Sequence, residues 1–258
     1  MRCVYFSYTV GTEMIAAELL YQELKHDIVT CALSPGRSLS EGELGKRYQT
    51  SRTPVREAFR HLANEGFITI LPFRGYFVSP LTIAEFNNLQ EVQLILDPSA
   101  AALAAGRATA DQIANMGKWA QFKYKSNQKE SYYEFLDKNR SLHVGIAEAT
   151  GNDRLVDLIS NVHTRLMRYF YLGLAADSFG SEIAREHCAI VEAIARRRPA
   201  DARQLTHQHI LNTMRRSSGL LSAARPSRYV ELGPSNNFTG AMETFRVQPT
   251  RRRATKGL

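Results

Sequence analysis

Several features that would assign a chain of 258 residues to a special class are scarce or missing in this sequence. Its three cysteines, Cys3, Cys31 and Cys188, lie far apart and form no C-x-x-C pair, which disfavours both a disulfide framework and a thiolate zinc site. No stretch approaches the roughly 18 uninterrupted apolar residues of a membrane span, and residues 1–11 lack the apolar core and cleavage site of a signal peptide. We therefore expect a cytoplasmic protein with reduced thiols and no membrane partner.

Positive charge is in excess, but most of the excess lies at one end. The chain has 33 Lys and Arg against 25 Asp and Glu, a formal net charge of +8, which by itself favours a nucleic-acid partner. The net charge is +1 over residues 1–80, +2 over 81–221 and +5 over 222–258. Evidence for DNA binding must therefore come from the positions of individual arginines.

The first 80 residues predict three helices followed by a β-hairpin. Apolar residues at helical spacing predict helices over 13–32 and 53–64, and a serine cap with an acidic first turn predicts a short helix between them. Two β-branched and aromatic runs, 67–71 and 76–78, are joined by a turn that contains proline and glycine. This order of elements is that of a winged helix-turn-helix domain.

The remainder of the chain predicts a mainly α protein. Five or six helical patterns follow residue 80, and residues from 222 onward are rich in Ser, Pro, Asn, Gly and Arg with little periodicity. A start of translation at Met14 stays open. The predicted units are an N-terminal extension (1–12), a winged helix-turn-helix domain (13–79), an all-α helical-bundle domain (80–221) and a basic flexible tail (222–258).

The third predicted helix carries a cationic face. Arg52, Arg56 and Arg60 are spaced by four and project from the side opposite the apolar stripe. Such a helix fits the major groove, where arginine binds guanine or phosphates. The competing interpretation is a solvated charged face with Glu57 as counter-charge. The preceding turn and the hairpin, with Arg74 at its tip, favour DNA binding.

Specific motifs in this region resemble the winged helix of the GntR family. They include the string SRTPVREA at residues 51–58, Glu65-Gly66, and the run from Arg74 to Val78. The helical half resembles the FCD-type effector domain of the FadR subfamily, so that the resemblance spans residues 13–221. The DNA-binding residues expected from the motif and the arginine face are Arg37, Arg47, Ser51, Arg52, Thr53, Pro54, Arg56, Arg60, Arg74 and Gly75. A basic contact usual in the second helix falls on Gly42, which Arg37 or Arg47 would replace.

Histidines on three predicted helices suggest a metal site. Asn139 and His143 are four residues apart on one helix, and His187 and His209 each lie on another. Three imidazoles and one oxygen suit a borderline divalent ion such as Zn²⁺ or Ni²⁺. By spacing alone, scattered surface histidines are the more ordinary interpretation. The resemblance raises the metal hypothesis, since a metal-binding subset of FCD domains carries ligands at all four positions. His207 competes with His209 for the last position.

Two departures from the family pattern bear on the effector. Asn139 stands where an aspartate is more usual, and the R-x-x-x-E pattern of the first effector-domain helix falls on Gln93 and Asp97. In the family, small carboxylates commonly bind beside the metal, so an acid-binding cation is missing here. Arg140 or Arg165 would substitute if it faces inward. Gln93, Arg140 and Arg165 are therefore the candidate effector-binding residues.

We expect a homodimeric, sequence-specific transcription regulator, a repressor, that binds an inverted-repeat operator and responds to a small metabolite. An alternative from another class is a metal-dependent hydrolase that uses the three histidines. It is disfavoured because no acid-plus-ligand motif occurs and Glu186, beside His187, is expected to point elsewhere on its helix. We therefore expect no enzyme. A third hypothesis is a constitutive dimeric DNA-binding protein with a structural metal.

Overall fold

The computed structural model describes residues 4–125, 128–174, 179–223 and 230–231. Within these ranges the fold is mainly helical with a small sheet near the N-terminus, which confirms the predicted fold class. The helices are α1 Val4–Val29, α2 Glu41–Arg47, α3 Arg52–Asn64, α4 Ile83–Arg107, α5 Ala110–Ala120, α6 Lys129–Glu148, α7 Asp153–Leu174, α8 Gly180–Ala195 and α9 Pro199–Ala223. The strands are β1 Ser38–Leu39, β2 Ile68–Leu71, β3 Gly75–Val78, β4 Leu81–Thr82 and β5 Val230–Glu231.

The N-terminal unit is a winged helix-turn-helix. Strands β2 and β3 form the predicted antiparallel hairpin, and β1 adds a third strand in the order β1-β3-β2. Strand β1 was not predicted, because two residues are too few to show a period of two. Ser40 caps α2 by accepting a hydrogen bond from the Glu43 amide. The apolar stripe of α3 is fully buried against α1 and α2, as predicted.

Helix α1 differs from its predicted bounds at both ends. It begins at Val4 instead of residue 13, since the segment before residue 13 contains no proline and its one glycine costs only about 1 kcal/mol in a helix. It ends at Val29, three residues earlier than expected, because Cys31 adopts a left-handed backbone conformation (φ +58°) that no helix continues through.

Six helices, α4 to α9, form the second unit, in agreement with the five or six helical patterns of the sequence. Helix α4 packs along α9, while α6 packs on α7 and α8 on α9. One end of this bundle has a core of small side chains, which lets the helices approach closely. Two strands were missed: β4 pairs in parallel with β5, which lies in the segment predicted to be a structureless tail. Each has two residues, again too few for a sequence pattern.

The two units share one apolar core. Leu24 of α1 and Phe59 of α3 belong to the same buried cluster as Phe135 of α6 and Met167 and Tyr171 of α7. Polar contacts lie around this junction. In the N-terminal unit, Glu65 at the end of α3 accepts hydrogen bonds from the Tyr21 hydroxyl (2.8 Å) and from Lys25 Nζ (3.1 Å), both on α1.

Among the described helices, none has the length and apolar character needed to cross a bilayer.

Phe59 tests the core of the N-terminal unit. The substitution Phe59→Ala removes a side chain with 0% exposure and should lower the free energy of unfolding by about 3–5 kcal/mol, because it loses transfer free energy and leaves a cavity. The matched control is Phe73→Ala, since Phe73 is fully exposed at the tip of the hairpin. Thermal denaturation followed by circular dichroism measures both. Equal stabilities of the two variants would contradict this core.

Candidate functional site

The arginines of α3 lie on its exposed face. Arg52, Arg56 and Arg60 are all exposed, while Pro54 is buried in the first turn of the helix. Arg56 Nε donates to both carboxylate oxygens of Glu41 on α2 at 2.9 Å. Within the described part of the chain, Arg52 and Arg60 form no ion pair. Two strong cations on this face are therefore available to an external anion such as a DNA phosphate.

Ser51 and Thr53 flank the start of α3, and both are exposed. Ser51 occupies the N-cap position, yet its side chain makes no capping hydrogen bond. Its hydroxyl and the first amides of the helix are therefore available to bind an external group at this end of α3. Helix N-termini of this kind bind phosphate groups.

Arg37 precedes β1 and Arg47 is the last residue of α2, and each pairs with a carboxylate. Arg37 pairs with Glu43 at 3.0 Å, and Arg47 pairs with Asp27 of α1 at 2.8 Å. All four side chains are at least partly exposed, so these pairs contribute little to stability and exchange readily for a phosphate.

The hairpin tip is the second exposed element. Gly75 has a φ of +97°, a conformation that glycine adopts without strain, and Arg74 lies beside it with its guanidinium 6.0 Å from the Phe77 ring. Sequence reasoning missed Phe73, which is fully exposed at the same tip. An exposed aromatic ring next to a cation matches the apolar and basic groups that enter minor grooves.

The helical unit brings three of the predicted ligands together. His143 of α6, His187 of α8 and His209 of α9 are buried, and one ring nitrogen of each lies within 4.8 Å of the others. His187 Nε2 and His209 Nε2 are 3.3 Å apart. His207, the competitor of His209, is only half-buried. The fourth predicted ligand, Asn139, is half-buried one turn before His143 and lines the adjacent cavity.

This donor set fits a divalent ion. Two nitrogens bound to one tetrahedral zinc at ordinary bond lengths are separated by about 3.3 Å, which is the spacing of the His187 and His209 atoms. His143 Nε2 is buried without a hydrogen-bond partner. Burial lowers the pKa of His187 and of His209, so both rings are neutral and able to coordinate near pH 7.

Glu186 is hydrogen-bonded to His209 at the ring edge that does not face His187. His209 Nδ1 donates to Glu186 Oε2 at 2.7 Å, and Arg216 and Asn212 donate to the same carboxylate. Burial opposes its ionisation, but these donors outweigh burial and lower the pKa of Glu186 to about 2. The expectation that Glu186 points elsewhere is wrong. The side chains of Glu186 and His187 do leave α8 in different directions. His209 of α9 nevertheless contacts both, because its Nδ1 edge faces Glu186 and its Nε2 edge faces His187.

Two further buried residues surround His143, and neither was assigned to the metal site from the sequence. Asp97 Oδ2 of α4 lies 2.9 Å from His143 Nδ1 and 2.7 Å from His163 Nε2 of α7. The rings of His143 and His163 stack with centroids 4.1 Å apart. Gln93 lies on the same face of α4, with Nε2 3.4 Å from His163 Nε2. The Asp97 position was noted only as a departure from the family pattern.

A cavity opens beside the histidines, and its lining combines apolar and polar side chains as small-molecule sites commonly do. Its apolar wall consists of Phe135, Leu136, Phe170, Phe179 and Ile183. The polar side chains at its lining are those of Gln93, Asn139, His143, His209, Thr213, Arg216 and Ser217. The cavity therefore combines an apolar body with a polar end.

The two arginines predicted to replace the missing cation lie elsewhere. Arg140 donates to Thr164 and Ser160 of α7 at 2.6 and 2.8 Å. Arg165 pairs with Glu85 of α4 at 2.8 Å, and its guanidinium packs against Gly66, directly after α3. Neither belongs to the lining of the cavity, whose arginine is Arg216. Sequence spacing could have suggested Arg216, which follows His209 by two helical turns.

Comparison with known proteins agrees with this architecture. Residues 16–78 match the family of bacterial regulatory proteins called gntR, and residues 88–212 match the FCD domain. The chain is 27% identical over 191 residues to the HTH-type transcriptional repressor RspR of Escherichia coli K12, covering 74% of this chain and 84% of RspR. It is 27% identical over 176 residues to the Nta operon transcriptional regulator of Aminobacter aminovorans, covering 68% and 82%.

Solved structures show the same fold. McbR/YncC of E. coli superposes with a TM-score of 0.65 at 17% identity, covering 81% of this chain and 99% of that one. A putative GntR transcriptional regulator from Rhodococcus sp. RHA1 superposes with a TM-score of 0.62 at 19% identity, again covering 81% and 99%. At these identities the likeness establishes the fold alone.

Fold and site together define a DNA-binding transcription regulator in which a winged helix precedes a helical effector domain. The chain belongs to the GntR family and carries an FCD-type effector domain, as in the FadR subfamily. The resemblance seen in the sequence is confirmed.

His187 tests the metal centre. Divalent metal should stabilise the wild type by about 2.7 kcal/mol at a hundred times its Kd, and His187→Ala should abolish this increment and lower the bound metal. The matched control is His207→Ala, which changes a half-buried histidine on α9. Elemental analysis and melting curves with and without chelator measure both effects. Wild-type metal content in His187→Ala would reject its role as a ligand.

Proposed function

We propose that this protein is a homodimeric repressor whose operator affinity is set by a small metabolite bound beside a divalent metal. The observation that carries the proposal is that α7 contacts both sites: His163 belongs to the buried histidine cluster, and Met167 and Tyr171 belong to the core of the DNA-binding unit. A ligand that moves α7 therefore changes the packing that positions α3.

In the proposed complex α3 enters the major groove. Arg52 and Arg60 are free of ion pairs in the described part of the chain, and Arg56 exchanges Glu41 for DNA. Ser51, Thr53 and the amides near Pro54 bind phosphate, with Arg37 and Arg47 as flanking backbone contacts. Arg74 and Gly75 follow the minor groove.

The sign of regulation is inferred from named relatives. RspR and GlaR of E. coli K12 are named as transcriptional repressors, and this chain is 27% and 23% identical to them. We propose the same sign of regulation here, in the cytoplasm where the DNA lies.

The dimer is proposed from an exposed apolar stripe on α4. Val92, Ile95 and Leu103 are 40%, 61% and 37% exposed. Packing of two such stripes about a two-fold axis buries them, and the same axis predicts two operator half-sites in inverted orientation.

For the effector site we propose Zn²⁺ or Ni²⁺ held by His143, His187 and His209, with Asn139 as an oxygen ligand. The ion would supply a Lewis-acidic position for a carboxylate oxygen of the metabolite. Gln93 faces the cavity as proposed from the sequence, and we add Arg216 as its cation. Arg140 and Arg165 would then act through α7 and the domain junction.

A hydrolase remains the weaker alternative. Glu186, the carboxylate beside His209, accepts hydrogen bonds from His209, Asn212 and Arg216, which leaves it poorly placed to move a proton at a metal-bound ligand. We therefore propose that the protein is not an enzyme.

Genomic footprinting with the full chain tests the DNA-binding proposal. We expect protected sites with two inverted half-sites about one helical turn apart. Arg52→Ala and Arg56→Ala should each weaken specific binding by roughly 1–3 kcal/mol where the arginine reads a base edge. Arg154→Ala, which changes an exposed arginine on α7, is the matched control. Wild-type operator affinity in both α3 variants would exclude this helix from recognition.

Titration of metabolites nominated by the genes beside the operator tests the regulation. At least one small acid should shift operator affinity by about fivefold or more, and the shift should require metal. If operator binding is specific but no acid shifts it at any metal loading, the constitutive alternative with a structural metal replaces this proposal.

A further inference from the structure

We propose, on the basis of the metal centre proposed above, that Asp97 and His163 are positioning residues that hold His143 in its metal-binding form. They act through hydrogen bonds and are not themselves ligands. The juxtaposition that carries this inference is one carboxylate oxygen shared by two stacked, buried imidazoles.

The shared oxygen fixes the tautomer of His143. Asp97 Oδ2 is an acceptor, so both ring nitrogens that face it, His143 Nδ1 at 2.9 Å and His163 Nε2 at 2.7 Å, must donate. The proton of neutral His143 then resides on Nδ1, and its lone pair is on Nε2. That atom is buried without a hydrogen-bond partner, and it completes the donor set with His187 and His209.

His163 locks this arrangement from the far side. It is 2% exposed and stacks on His143 with an interplanar angle of 23°. Its N–H neutralises part of the charge of Asp97, and its ring prevents that of His143 from turning. Since a buried carboxylate needs strong donors to stay ionised, Asp97 depends on His163 as well as on His143.

A second metal ion between Asp97, His143 and His163 is the competing interpretation, because these three residues also have converging ligand atoms. The separations of 2.7 and 2.9 Å favour hydrogen bonds, since nitrogen and oxygen ligands of one tetrahedral ion lie about 3.3 Å apart. Both ring nitrogens also point at the same oxygen, which already fills the place between them.

The charge of the site gives Asp97 a further role. Asn139 is a neutral ligand where a carboxylate would offset the ion. Asp97 supplies a negative charge behind His143, and Glu186 supplies another behind His209. Ligand basicity raised through hydrogen bonds of this kind strengthens metal binding.

Competition of the full chain against a chromophoric chelator for Zn²⁺ tests the inference. Asp97→Asn and His163→Phe should each bind one ion per chain, as the wild type does, but about 10- to 100-fold more weakly. His163→Gln keeps an N–H donor and should restore most of the affinity. Asp157→Asn, which changes an exposed aspartate on α7, is the control. Melting curves of the metal-free variants monitor folding separately.

Co²⁺ in place of Zn²⁺ gives a second readout, because its visible bands report the ligand field at the ion. The bands should shift in Asp97→Asn and His163→Phe and return in His163→Gln. Unchanged affinity and spectra in the first two variants would overturn the inference. Two ions in the wild type and one in His163→Phe would overturn it in favour of direct ligation. A wild type that binds no Zn²⁺ would remove the proposed metal centre itself, leaving the proposed DNA binding to stand on the footprint.

Discussion

The buried apolar contact between the winged helix and the helical unit is the constraint on which the rest of the structure depends. Leu24 and Phe59 on one side pack with Phe135, Met167 and Tyr171 on the other in one continuous cluster. Separating the units would expose these side chains to water at a cost of about 25 cal/mol for each Å² of apolar surface. Helix α3 packs on α1, and α1 contacts α7, the helix that carries His163.

Charge is distributed over this framework in two different ways. On α3 the arginines lie at the surface, where Arg56 pairs with Glu41 of α2 and the side chains of Arg52 and Arg60 are exposed to solvent. In the helical unit, Asp97 is buried and Glu186 is half-buried, and each is held by fixed N–H donors. The surface arrangement suits reversible contact with a polyanion, whereas the buried one fixes the rings of a coordinating set. The formal charge of the whole chain reveals neither arrangement, because more than half of the positive excess lies in residues 222–258.

Periodicity made most of the fold predictable. Stripes such as the one on α3 extend over more than two turns, and hairpin strands of four residues carry β-branched and aromatic side chains beside a turn. Strands β1, β4 and β5 have two residues each, so their existence depends on which backbone happens to lie alongside. The early end of α1 depends on the backbone conformation of Cys31, which its residue type does not specify.

The sequence predicted the site residues that a motif marks. It did not predict the residues that only the packing of helices brings to the site. His143, His187 and His209 stood at marked positions, whereas His163 was one unassigned histidine among seven. Its place follows from the angle at which α7 crosses α4 and α6, and no spacing along the chain encodes that angle.

Glu186 and His187 also show that sequence spacing does not determine which partner a side chain meets. Adjacent residues of a helix point about 100° apart, so the side chains of Glu186 and His187 leave α8 in different directions. They nevertheless meet the same partner, because His209 enters from α9 with its ring between them. His187 Nε2 faces one nitrogen of that ring at 3.3 Å, and Glu186 accepts from the other at 2.7 Å. Since a single turn of α8 thus holds both edges of one imidazole, any displacement of α8 against α9 must alter the coordinating edge and the hydrogen-bonded edge of His209 together.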